Sequence, residues 1–153
     1  MMSTDAVTTN YLTAIVPGVP KSQARHRHTK SGHTYDPSKK DKKDFIHKLK
    51  LYNCGSPHKL TDPFTGEIIL MITFMFPWPK KWYRTGKYSD LLKDNAPTEH
   101  TIKPDIDNLL KFVMDAGNGV LWGDDRQIHE VQMRKVYGSS PETVIILEEN
   151  NER

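Results

Sequence analysis

The chain has 153 residues, of which 27% are charged, with a formal net charge of +3 and one cysteine. This length fits one domain able to bury a core unaided, and Cys54 alone builds neither a disulfide nor a cysteine zinc site. The longest apolar run, Ile68 to Ile72, falls far below the roughly 20 residues that span a bilayer, so no membrane partner is expected.

Residues 1–9 are polar, show no secretory pattern and are expected to fray, which makes a reducing cytoplasm the expected compartment. A single domain is expected over 10–149, with a short tail at 150–153. Tyr11 to Val16 reads as a first strand, stopped by Pro17-Gly18 and Pro20. Residues 21–37 have no apolar period and read as a long basic loop. Pro37-Ser38 opens a helix with Phe45, Ile46, Leu49 and Tyr52 at helical spacing, closing near Cys54-Gly55. Gly66 to Phe76 is an Ile- and Phe-rich strand. Residues 77–103 mix polar and aromatic side chains in a second long loop. Asp105 to Gly117 has a helical apolar face of Leu109, Leu110, Val113, Met114 and Ala116. Gln127 to Tyr137 and Thr143 to Leu147 read as strands, and Gly138 to Pro141 as a hairpin between them. The predicted order is β-α-β-α-β-β, an α+β single domain with a mixed sheet and two main helices.

Charge is unevenly spread. Residues 21–50 carry a net +7 and residues 101–153 a net −4. The basic third suits a polyanion, while the acidic third offers carboxylates. Lys21, Arg25, Arg27, Lys30, Lys39, Lys40, Lys42 and Lys43 are candidate phosphate contacts, against the plainer reading of Lys39 to Lys43 as a solvated helix face. His26, His28 and His33 lack usual zinc spacing and fit a basic DNA-contacting loop better. Trp78, Trp82 and Tyr83, interleaved with Lys80, Lys81 and Arg84, suit either base stacking or packing on the core.

The most informative string is Lys103-Pro104-Asp105-Ile106-Asp107-Asn108-Leu109-Leu110-Lys111. In extended chain, residues two apart share a side, so Asp105 and Asp107 can converge on one cation. A divalent ion relieves the repulsion of two close carboxylates. Lys111 follows Asp107 by one helical turn. A second acidic pair, Asp124-Asp125, follows Trp122-Gly123; adjacent residues face differently, so one of the two is expected to point inward. Alone, these signals are matched by bland ones: an N-cap aspartate, an Asp107–Lys111–Asp115 ladder, a simple turn. An EF-hand fails, because Leu110 stands where glycine is needed.

Taken together, these residues resemble the RusA family of Holliday junction resolvases. The string above, with Asp115-Ala116 and Trp122-x-Asp124-Asp125-x-Gln127-Ile128, carries the likeness. So do Pro17-Gly18-x-Pro20-Lys21 with Arg25 and Arg27, and Ser31-Gly32-His33-Thr34-Tyr35-x-Pro37. The resemblance runs from about Ile15 to Leu147 and implies a homodimeric endonuclease that cuts four-way DNA using Mg²⁺ or Mn²⁺. It implies Asp105, Asp107 and Asp125 as metal-holding carboxylates and Lys111 as the motif lysine. Lys21, Arg25, Arg27, Lys30 and Lys103 are the expected DNA contacts. Lys103-Pro104 and the long 77–103 loop depart from the family's best-known pattern. Two other readings compete: a catalytically silent module that binds branched DNA, and a nuclease acting on other DNA structures.

Overall fold

The computed structural model describes residues 10–56 and 61–150. β1 (Asn10–Pro17) alternates, burying Leu12, Ala14 and Val16 and exposing Tyr11 and Ile15, as a strand with one covered face must. The long basic segment carries a two-rung antiparallel hairpin, β2 (Arg27–His28) with β3 (Thr34–Tyr35). α1 (Lys39–Leu51) buries Phe45 and Leu49. It ends three residues before the predicted stop, because Asn53–Gly55 leaves as β4 to pair with β1. β5 (Glu67–Phe76) buries Ile68, Leu70, Ile72, Phe74 and Phe76 on one face. α2 (Ile106–Gly117), β6 (Ile128–Tyr137) and β7 (Glu142–Asn150) complete the fold.

The main elements keep the predicted order, and the domain is α+β with a mixed sheet. The five strands lie in the order β4-β1-β7-β5-β6. β5 and β6 run parallel, joined through α2, while the other pairings are antiparallel. α1 and α2 cover one face, and their apolar sides close a single core with β1, β5 and β7. Leu109, Phe112, Val113 and Ala116 of α2 are buried there, and the Phe112 ring meets Phe45 edge-on at 5.7 Å.

The predicted hairpin between the last two strands does not form. β5 lies between β6 and β7. The sequence explains the exchange. β7 is a near-continuous apolar run from Val144 to Leu147, which suits a central strand buried between neighbours. β6 alternates apolar Val131 and Met133 with Glu130, Gln132 and Arg134, which suits an edge. Gly138–Pro141 therefore crosses the end of β5, where the Gly138 N–H donates to the Phe76 carbonyl at 2.9 Å. A Cβ at Gly138 would run into the Met75 side chain.

Glu149 is buried at the other end of the sheet. Its carboxylate accepts from the Asn10 amide at 3.1 Å and from the Thr65 and Gly66 backbone N–H groups, both at 2.8 Å. It ties the turn before β5 to β7 and β1.

Gly138→Ala forces Met75 or the crossover to move and should cost about 1–3 kcal/mol, the usual range for overpacking. Chemical denaturation of the purified variant checks this; unchanged stability would mean that the crossover yields freely.

Candidate metal centre and nucleic-acid interface

α2 begins where the Asp105 backbone is still extended, with φ −72° and ψ 146°. Its carbonyl accepts the first helical bond, from the Leu109 N–H at 3.2 Å. Asp105 thus occupies the N-cap position, yet its side chain makes no capping bond. Among the described residues neither the Asp105 nor the Asp107 carboxylate has a hydrogen bond or ion pair, and both residues are exposed. The capping reading of Asp105 therefore lacks the bond that defines a cap. Both acids stand at the positive end of the helix dipole, which favours anions there. Lys111 is exposed one turn beyond Asp107 on the same face.

The segment leading into Asp105 is held from behind. The half-buried Lys135 ammonium of β6 donates to the Ile102 and Pro104 carbonyls, both at 2.7 Å. Lys103 sits between them, exposed, joined to Pro104 by a cis peptide bond. His100 N–H donates to the Lys135 carbonyl. The buried His100 ring stacks on Phe76 at 4.1 Å and leans on Tyr137 at 4.9 Å. Burial, reinforced by the Lys135 charge, pushes its imidazole below the ordinary 6.5. Trp78 stacks on Tyr137 and donates its indole N–H to the Pro97 carbonyl at 2.7 Å. For Trp78 the packing role is therefore the observed one. Lys81 lies over the half-buried Trp82 ring at 5.3 Å.

Asp124 and Asp125 face apart, as adjacent residues should. Asp124 caps a short 3-10 turn, accepting from the Arg126 N–H at 2.8 Å, and Gln127 returns a bond to the Asp124 N–H. Those bonds to Arg126 hold the Asp124 carboxyl below its ordinary 3.8. Asp125 is half-buried and accepts the Trp122 indole N–H at 2.7 Å. Trp122 is fully buried and lies against Gly117, where a Cβ would meet its ring at 2.6 Å. Asp125 is thereby held at the C-terminal end of α2. Twelve residues at 1.5 Å each separate that end from Asp105 by about 18 Å. Among the described residues no three histidine, cysteine or acidic side chains come close enough to share a metal ion. Asp107 and Lys111 thus share the exposed side of α2 with Asp105 at its start, while Asp125 is tied through Trp122 to Gly117 at the other end.

The basic loop is docked on the first turn of α2. The Gln23 N–H donates to the Asn108 carbonyl at 3.0 Å. Asp36 organises the return: it accepts from Lys42 at 2.6 Å, from the Ser38 N–H at 2.9 Å and from the Gln23 amide at 3.2 Å. The Lys42 ammonium holds the Asp36 carboxyl below its ordinary 3.8. Ser38 closes the loop by accepting the Ala24 N–H at 3.0 Å. Arg25, Arg27 and Lys30 follow this anchor, all exposed and without ion pairs among the described residues. Lys21 is paired with Asp41 at 2.8 Å on the surface. His28 shares a hydrogen bond with Thr34 at 2.9 Å across β2–β3. Lys135, Gln23 and Asp36 were not singled out by sequence; no motif or period marks a side chain whose work is to hold a neighbouring loop.

Exposed acids at a helix start, a lysine one turn on and a basic hairpin docked on that same turn are the equipment of a protein that handles nucleic-acid phosphates. The family model for endodeoxyribonuclease RusA matches residues 17–148, and the chain belongs to that family of DNA endonucleases acting on branched junctions. It is also similar to the uncharacterized protein YqaN of Bacillus subtilis (strain 168), 29% identical over 137 residues, covering 88% of this chain and 93% of that protein. No helix among the described residues is long and apolar enough to cross a membrane.

His100 has a lowered value in the fold, so the unfolded chain binds more protons as pH falls through 6.5. Its stabilising contribution is present above 6.5 and is lost as pH falls toward the lowered value. The midpoint temperature should drop between pH of about 7.5 and about 5.5. His100→Phe, which keeps the stack, should flatten that drop; an equally steep drop in the variant would assign it to other groups.

Proposed function

We propose that this protein is a Mg²⁺- or Mn²⁺-dependent endonuclease that resolves four-way DNA junctions as a homodimer, by symmetric nicks, in DNA recombination and repair. The observation that supports it best is the uncommitted Asp105–Asp107 pair beside a basic hairpin anchored on the same helical turn. A silent DNA-binding module has no use for two unpartnered carboxylates next to a polyanion, because each repels the phosphates it must approach.

The donors fit a hard divalent ion, which prefers oxygen ligands and takes few carboxylates. Asp105 and Asp107 would hold it from the start of α2, and Asp125 would supply the third carboxylate. When bound, such an ion polarises the scissile phosphate and lowers the pKa of attacking water. Lys111, fixed by the helix one turn away, places a cation where negative charge grows in the transition state. Arg25, Arg27, Lys30, Lys103 and Lys21 would bear on flanking phosphates and set the strand against the carboxylates.

The length of α2 bears on the dimer. Asp125 is tied through Trp122 to Gly117, about 18 Å of helix from the end that carries Asp105. A twofold axis that sets α2 antiparallel to its partner copy would bring each chain's Asp105 and Asp107 toward the other chain's Asp125. Two identical sites related by a twofold also suit two symmetric cuts in a four-way junction.

Labelled four-way, Y-shaped and linear duplex DNA, each with Mg²⁺, Mn²⁺ or EDTA, test the activity directly. Selective cutting of the four-way substrate that EDTA stops is expected; equal cutting of linear duplex would overturn junction selectivity. Asp105→Asn, Asp107→Asn and Asp125→Asn should each abolish cleavage yet retain junction binding in gel shifts, with Asp124→Asn milder. A full-rate Asp107→Asn enzyme would sink the metal-site reading. Replacing Lys21, Arg25 and Arg27 by alanine should weaken binding to every DNA shape, and each lost phosphate contact should lower the log–log salt slope by about 0.9. An unchanged slope would remove this loop from the interface.

A further inference from the structure

α1 sorts its charges by side. At about 100° per residue, Lys39, Lys43 and Lys50 fall within an arc of about 40°, with Ile46 and His47 beside them. Asp41, Asp44 and Lys48 fall on the opposite arc, facing the cleft at the end of β1 where Asp41 holds Lys21. The basic arc faces the C-terminal end of α2. There Lys39, Lys43, Ile46, His47 and Lys50 line a groove of about 470 Å³ with Ala116 and Val120. Its acidic side chain, Asp115, is already held by Lys42 at 3.3 Å. Among the described residues Lys39, Lys43 and Lys50 have no carboxylate partner.

Three unpaired like charges in a row on one helix repel one another. A solvated face would intersperse acids among them, as the opposite side of this helix does. The row from Lys39 to Lys50 is about 16 Å long, close to five phosphates of one duplex strand at about 3.4 Å of axis each. Asp115 lies two turns along α2 from Asp107, so the groove opens about 12 Å from the Asp107 of its own chain, at the helix end that also carries Asp125.

We propose that this groove is a second DNA-binding surface, which takes the phosphate backbone of a duplex arm beside the cleavage site. It rests on the nuclease reading above and adds to it a contact distinct from the basic hairpin. The groove reads no bases: lysine ammonium groups on an aliphatic floor hold phosphates without sequence preference.

The test compares two single substitutions on one helix, Lys43→Ala in the groove and Lys48→Ala on the other side. Each removes one positive charge. Binding to a four-way junction is measured by fluorescence anisotropy across a salt series in EDTA, so that cleavage plays no part. Lys43→Ala should lower the log–log salt slope by about 0.9, and Lys48→Ala should leave it unchanged. A hydroxyl-radical footprint should lose protection on a duplex arm beside the cut site in Lys43→Ala alone. Equal slopes for the two variants, whether both lowered or both unchanged, would overturn the groove. Wild-type cleavage of the same junction with Mg²⁺ separates this from failure of the nuclease reading: a cutting enzyme with equal slopes loses only the groove. A chain that neither binds nor cuts branched DNA loses both.

Discussion

The burial of one side of α2 is the constraint on which the candidate site depends. Leu109, Phe112, Val113 and Ala116 are buried in the core, with Phe112 against Phe45 of α1, so the helix cannot rotate without opening that core. Burying such side chains stabilises the fold by about 1.5–3 kcal/mol each. That seating turns Asp107, Lys111 and Asp115 outward as one stripe. It presents Asp105 at the helix start and brings Gly117 against Trp122 at the helix end. The chemistry-bearing side chains occupy the face that the core does not use.

Around this helix the loops are held by buried or half-buried polar anchors. Lys135 grips the approach to Asp105 from β6, and His100 ties that strand to the aromatic stack of Phe76 and Tyr137. Asp36 and Lys42 tie the basic hairpin to α1, and the Gln23 N–H ties its approach to α2. Lys42 also reaches Asp115, linking the hairpin anchor to the rim of the α1 groove.

Much of the fold was legible because its signals are periodic. The alternation of β1, the apolar run of β5 and the stripe of α2 each follow from one exposed and one buried side. The hairpin expected at Gly138–Pro141 was not, because strand adjacency is set by the α2 crossover and by which strand is apolar enough to sit centrally. β4 and the small β2–β3 hairpin are too short to show a period. At the site, Asp105, Asp107 and Lys111 were readable as a compact string. The distance of Asp125 from them was not, since it depends on where Trp122 packs.

That distance gives the account its most direct test. Asp107→Asn and Asp125→Asn proteins, each inactive alone, are mixed, allowed to exchange subunits and given a four-way junction with Mg²⁺. If each site draws Asp105 and Asp107 from one chain and Asp125 from its partner, heterodimers hold one intact site, and single-strand nicking of the junction returns on mixing. If exchange is demonstrated and the mixture stays inactive, the three carboxylates do not join across subunits, and the account of the site built on α2 is contradicted.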